Sequence, residues 1–159
     1  GLDTIQAQDG IRDIALYYPL HVILRYKLEK ALLSNELSTA DLPLAWNDLM
    51  EQLVGVRPTD DTDGVMQDVH WPEGILGYFP TYSLGAVAAA QLFVAAQDDE
   101  PELLSALGSG NVAPLFGWLD QHIRGRGCLY MPDELLECAT GSGLDTTAFK
   151  ASVRARYLD

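Results

Sequence analysis

The densest collection of chemically useful side chains lies at residues 64 to 82, "GVMQDVHWPEGILGYFPTY". Gln67, Asp68, His70, Trp71, Tyr78 and Tyr82 crowd together there, spaced by glycines and prolines. Neither helical nor strand periodicity holds for more than a few positions. An imidazole and a neutral tyrosine hydroxyl can each donate a hydrogen bond to an oxygen on which negative charge develops. Glycine lets backbone approach a ligand closely because it carries no Cβ. Composition alone equally permits a buried aromatic loop, with His70 and Trp71 filling space and Asp68 capping backbone amides. A wall of an active site and a packed loop are thus both open, and neither names a reaction.

The absent motifs narrow the field. A zinc hydrolase helix carries HExxH, because histidines four residues apart share one face and grip one ion. His21, His70 and His122 have no such spacing. A catalytic zinc takes about three protein ligands, and no segment offers even two, so no metal site is expected from this chain alone. No P-loop, no GxSxG and no GxGxxG between a strand and a helix are present. Cys128 and Cys138 would act as nucleophiles only beside a histidine; packed or idle thiols are the simpler reading.

The bulk numbers bound the rest. The chain has 159 residues, 48% of them hydrophobic, enough for a core in one ordinary domain. Its formal net charge is -13, from 10 Lys+Arg against 23 Asp+Glu. Such a surface repels phosphate backbones and anionic lipid, so neither nucleic acid nor a membrane is an expected partner. The longest apolar run, Leu84 to Ala96, falls short of the roughly 20 residues needed to span a bilayer. No basic region followed by an apolar stretch opens the chain. Two cysteines without CxxC spacing suit a reducing compartment. A cytoplasmic protein is expected.

Helices must position the stretch. Leu16, Leu20, Ile23, Leu24, Leu28, Ala31 and Leu32 recur at three- and four-residue steps, which predicts an amphipathic helix over 16–33, with Pro19 in its first turn or kinking it. Ser38 with Asp41 is a helix cap, and Leu44, Leu49 and Leu53 carry the next helix to Gly55. An acidic turn at 57–64 leads into the quoted stretch, where Gly64 to Trp71 has room for a short strand. Residues 81–97 are rich in small side chains, among them Gly85, Ala86, Ala89 and Ala90, and are expected to form a buried helix. "DDEP" at 98–101 is expected to start a short acidic helix. Apolar patterns predict further helices over 113–123, 132–140 and 145–157. The polar first ten residues form a frayed lead-in. The expected class is all-α and bundle-like, with at most a short strand near "GVMQDVHW".

"GVMQDVHW" resembles the G-x-x-Q-D-x-H-W motif of the carboxypeptidase Taq family of zinc metallocarboxypeptidases. The similarity runs through "GYFPTYSLG" and "AAQLF", begins earlier at "YPLHVILRYKLEKAL" and "LPLAWNDLM", and continues through "PLFGWLDQHIRGRG" and "MPDELLECATG". It covers roughly residue 18 to the end, leaving 1–17 as a poorly matched lead-in to a helical region over 18–159. The chain resembles the C-terminal third of such an enzyme. The family's HExxH and third ligand lie upstream of that third, so zinc belongs to the full-length family and none is expected to bind here.

The resemblance implies roles. His70 and one of Tyr78 or Tyr82 would face the tetrahedral intermediate and stabilise its oxyanion, with the choice of tyrosine open. Gln67 and Asp68 would orient His70 or line the subsite. The family also carries I-R-x-x-A-D, whose arginine suits the terminal carboxylate of a peptide. Here "IRDIAL" keeps Ile11, Arg12 and Ala15, but Leu16 replaces the aspartate. Arg12 is therefore a disturbed copy of that clamp or an exposed helix arginine. His21 falls within the similar region, and its place on the helix assigns it to packing.

Two readings follow. One is the C-terminal portion of a zinc carboxypeptidase, inactive alone, whose partners are a peptide C-terminus, an N-terminal catalytic portion and, as the family is often dimeric, a second copy. Its helices 16–33 and 81–97 would then expose apolar surface. The other is a non-catalytic helical module derived from that family, which binds peptides or a protein.

Overall fold

The computed structural model describes the backbone of residues 14–158 and the side chains of residues 17–158. Regular structure there consists of seven α-helices and two 3-10 turns, with no strand among the described residues. The helices are α1 (Ile14–Leu33), α2 (Leu42–Val54), α3 (Pro80–Asp99), α4 (Leu103–Gly108), α5 (Ala113–His122), α6 (Pro132–Thr140) and α7 (Thr147–Tyr157). The all-α class read from periodicity therefore holds. The short strand does not appear: Val65–Gln67 forms a 3-10 turn, and the backbone from Gly64 to Phe79 is otherwise irregular.

The chain divides into two compact units, one ending at Ser83 and the other starting at Leu84, so the boundary falls inside α3. In the first unit α1 and α2 pack together. Leu24, Leu28, Trp46 and Met50 form the buried centre, with Leu37, Leu49, Leu53 and Trp71 around it. Leu24 and Leu28 stand four residues apart and so share one helical face. Pro19 lies inside α1 without ending it. Gly55 closes α2 at φ 79°, a left-handed conformation that costs glycine nothing. Asp41 does sit at the N-cap of α2, but its carboxylate accepts from the Ser38 hydroxyl at 2.6 Å and bonds no helix amide. The expected cap is instead a turn closed on itself.

The second unit is centred on Ala96, Leu103, Trp118 and Ala139, bordered by Leu92, Phe93, Leu107, Leu115 and Ile123. Trp118 donates its indole N–H to Asp99 at 2.7 Å and stacks on His122 at 4.5 Å. Gln91 is buried and fully used: its amide donates to the Gly143 carbonyl at 3.0 Å, and its oxygen accepts from the Asp145 amide at 2.7 Å. Two expectations fail here. Asp98 and Asp99 end α3 and do not begin the next helix, which starts at Leu103. Of the small residues, Gly85, Ala86 and Ala89 are exposed, whereas Val87, Gln91 and Ala96 are buried. Small side chains permit close approach of a neighbour, but they do not choose which face receives it.

Candidate active site

The site is built from α1 upward. His21, Arg25 and Glu29 recur every fourth residue on that helix, and all three are buried. Charged side chains are almost never fully buried without partners, and both of these have them. The Arg25 Nε donates to the Asp68 carboxylate at 2.7 Å, with the two side chains 3% and 1% exposed. The guanidinium lies between the rings of Trp46 and Phe79, 4.6 and 4.5 Å from their centroids, positions that favour a cation over a π face. Burial pulls the Arg25 pKa down, while the Asp68 hydrogen bond and charge oppose that and keep the cation. Glu29 accepts from the Trp71 indole at 2.9 Å and, through its other oxygen, from the Gly77 amide.

These contacts fasten both ends of the irregular loop. Asp68 also accepts the backbone amides of His70 and Trp71, each at 2.9 Å. Its carboxylate therefore holds the backbone that carries His70 and does not bond the imidazole. Gly64, which opens the motif, is buried, and a Cβ there would meet the Asn47 Oδ1 and the Asp60 carbonyl oxygen at 3.1 Å each and the Pro58 ring at 3.4 Å. Close approach of backbone and side chain explains that glycine.

The imidazole sits in an aromatic cluster. His70 stacks on Tyr78 with centroids 5.7 Å apart and meets Phe79 edge-on at 4.8 Å. Its Nε2 is 3.3 Å from the Tyr82 hydroxyl, and which atom donates depends on the tautomer. Tyr78 and Tyr82 are both exposed. Tyr18, from the first turns of α1, packs edge-on against Tyr82 at 5.9 Å. Burial raises the Tyr18 pKa, Tyr82 adds to the rise, and Arg25 opposes it. The phenol therefore stays protonated.

The structure thus brings together His70, Tyr78, Tyr82 and Asp68. Gln67 is exposed and donates to the Thr62 carbonyl at 2.6 Å, within its own loop. Arg12 lies outside the described residues. Cys128 and Cys138 are free and exposed, so of the packed or idle thiols expected, they are not the packed kind. His21 does pack within the first unit. Its Nε2 has no hydrogen-bond partner among the described residues, and burial followed by the Arg25 charge lowers its pKa to about 4. Arg25, Glu29, Phe79 and Tyr18 were not singled out from the sequence. The available signal was the polar 21, 25, 29 series on a helix whose neighbouring stripe is leucine. Among the described residues, no three of His, Cys, Asp and Glu gather closely enough to hold a metal ion. These residues therefore do not fit a metal, and no step is derived through one. Nor is any described helix long and apolar enough to cross a membrane.

Residues 12–157 match the Carboxypeptidase Taq (M32) metallopeptidase family, and the chain belongs to it. It is similar to thermostable carboxypeptidase 1 of Pyrococcus furiosus, 40% identical over 141 residues that make up 89% of this chain and 28% of that protein. It is also similar to carboxypeptidase 1 of Bacillus subtilis, 42% identical over 82% of this chain and 26% of the relative. Among solved structures, the M32 carboxypeptidase of Deinococcus radiodurans superposes with a TM-score of 0.86 at 38% identity, covering 89% of this chain and 29% of that one. The chain spans little more than a quarter of the length of these relatives.

Proposed function

We propose that this chain is the C-terminal portion of a zinc metallocarboxypeptidase that removes C-terminal amino acids from peptides, and that it forms the substrate side of the groove. The observation that carries this reading is the His70–Tyr82 pair at 3.3 Å, inside the segment that matches the family and on a support tied to α1. With Nε2–H donated to the tyrosine oxygen, the Tyr82 hydroxyl is free to donate onward to a peptide carbonyl as charge develops on it. Tyr78, stacked on the imidazole, limits its rotation. The geometry favours Tyr82 over Tyr78 as the donor, because only Tyr82 is in hydrogen-bond reach of His70. Gln67 and Asp68 flank the pair, and Arg12 is assigned to the substrate's terminal carboxylate, which a guanidinium meets in bidentate fashion.

Zinc in such peptidases supplies Lewis-acid activation of water and carbonyl. In this reading the zinc and its HExxH belong to an N-terminal catalytic portion, so the isolated chain is inactive. Homodimerisation and a cytoplasmic location complete the proposal, with no role for nucleic acid or membrane.

The test has two stages. After zinc loading and gel filtration, elemental analysis of the 159-residue chain is expected to find almost no zinc; stoichiometric zinc would contradict the division of labour. The chain is then joined to the N-terminal portion of an M32 relative, and release of C-terminal amino acids is followed. Hydrolysis is expected, with Tyr82→Phe lowering kcat by about 10²-fold or more, the scale of a lost oxyanion donor. Peptide binding without hydrolysis in the joined protein would favour a non-catalytic binding module.

A further inference from the structure

We propose that Arg25 and Glu29 are positioning residues that set the aim of the His70–Tyr82 pair. This rests on the reading of that pair as the substrate-facing donors. The two lie one turn apart on α1, on the same face, and both are buried. Of their four hydrogen bonds, three end on residues beside the site, and the fourth runs from Arg25 back to the His21 carbonyl on α1. Arg25 reaches Asp68, which accepts the His70 amide, and presses on Phe79, against whose ring His70 packs edge-on. Glu29 reaches Trp71, next to His70, and Gly77, next to Tyr78. One helix face thus fixes the loop on either side of the imidazole and immediately before its stacking partner.

A purely stabilising role explains this arrangement poorly. The α1–α2 centre is already closed by Leu24, Leu28, Trp46 and Met50. Apolar residues of similar volume in place of a buried ion pair are often neutral or stabilising. What a charged, directional pair adds over an apolar one is a unique geometry for the atoms it holds. A site that must place one hydroxyl against a developing charge needs that within a fraction of an ångström.

The experiment uses the 15N-labelled 159-residue chain. Long-range 1H–15N NMR reads the His70 ring nitrogens, and the NOE between the His70 and Tyr82 rings reads their contact. Glu29→Gln keeps the shape but turns one acceptor into an amide that faces an N–H donor. Arg25→Lys keeps a charge for Asp68 but loses the planar stack between Trp46 and Phe79. Each variant is expected to retain its helical circular dichroism while the His70–Tyr82 NOE falls at least twofold and the His70 ring shifts move. A folded variant with a lower unfolding midpoint but unchanged NOE and ring shifts would overturn the proposal, since a merely structural role predicts that pattern. Should either variant fail to fold, Trp71→Phe removes one Glu29 contact from the loop side, and an unchanged His70–Tyr82 NOE there is equally decisive against it. Because these spectra need neither peptide nor metal, they are separable from the functional reading. If His70→Ala retains full hydrolysis in the joined protein, the catalytic role of the pair fails whatever the NOE reports.

Discussion

Asp68→Asn is the sharpest single perturbation of the first unit. The side chain keeps its size, and its remaining carbonyl oxygen still accepts the His70 and Trp71 amides. What changes is the atom facing Arg25: an NH2 group now opposes the Nε–H across the 2.7 Å contact, donor against donor. The guanidinium also loses its counter-charge in a pocket where it is 3% exposed. Breaking a buried pair by removing one partner costs about 3–5 kcal/mol, because the other charge is left buried and unpaired. With a urea dependence of about 2 kcal/mol per molar, the midpoint falls by about 2 M. The assay is urea unfolding followed by tryptophan fluorescence, since Trp46 lies 4.6 Å from the guanidinium. Arg57→Ala is the comparator: it removes ion pairs to Asp48 and Glu51, both at 2.8 Å but exposed to solvent, and should hardly move the midpoint. If Asp68→Asn were as silent as Arg57→Ala, the Arg25–Asp68 pair would not be holding the loop, and the reasoning would be refuted.

Two further predictions concern pH and backbone packing. His21 is held neutral, with a pKa of about 4 against an ordinary 6.5. Below pH 6.5 the unfolded chain therefore takes up a proton that the folded chain refuses, and stability is lost as pH falls from 6.5 toward 4. The gap between the two values corresponds to about 3 kcal/mol. His21→Phe should flatten the slope of unfolding free energy against pH in that window, and parallel wild-type and variant slopes would count against a buried neutral imidazole. Gly64→Ala would place a Cβ against two oxygens at 3.1 Å, one of them backbone and unable to turn aside. A loss of about 1–3 kcal/mol by thermal or urea unfolding is expected, the usual cost of overpacking; an unchanged midpoint would mean that the Asp60 turn gives way freely.

Much of this protein was decided by local sequence. The helices over α1, α2, α5, α6 and α7 follow from apolar residues three and four apart and from punctuation such as Gly55. Those signals act within a few residues and need no knowledge of the fold. The stretch opening with "GVMQDVHW" was likewise legible as irregular backbone, because its run of His, Trp, Gly and Pro keeps neither helical nor strand period. Burial was less legible. The small residues of α3 suggested a buried helix, yet Gly85, Ala86 and Ala89 are exposed, since a small side chain is compatible with either environment.

What only the tertiary structure decided is who holds whom. Arg25 meets Asp68 across 43 positions, and Gly77 meets Glu29 across 48. No spacing rule encodes such contacts, because they depend on how α1 lies along the loop. The same holds for how the two tyrosines meet His70: Tyr82 brings its hydroxyl to the Nε2, while Tyr78 stacks on the ring face. The residue types were settled by sequence, and the direction in which each hydroxyl points was settled by packing, because a hydrogen bond depends on angles that only neighbouring elements can impose.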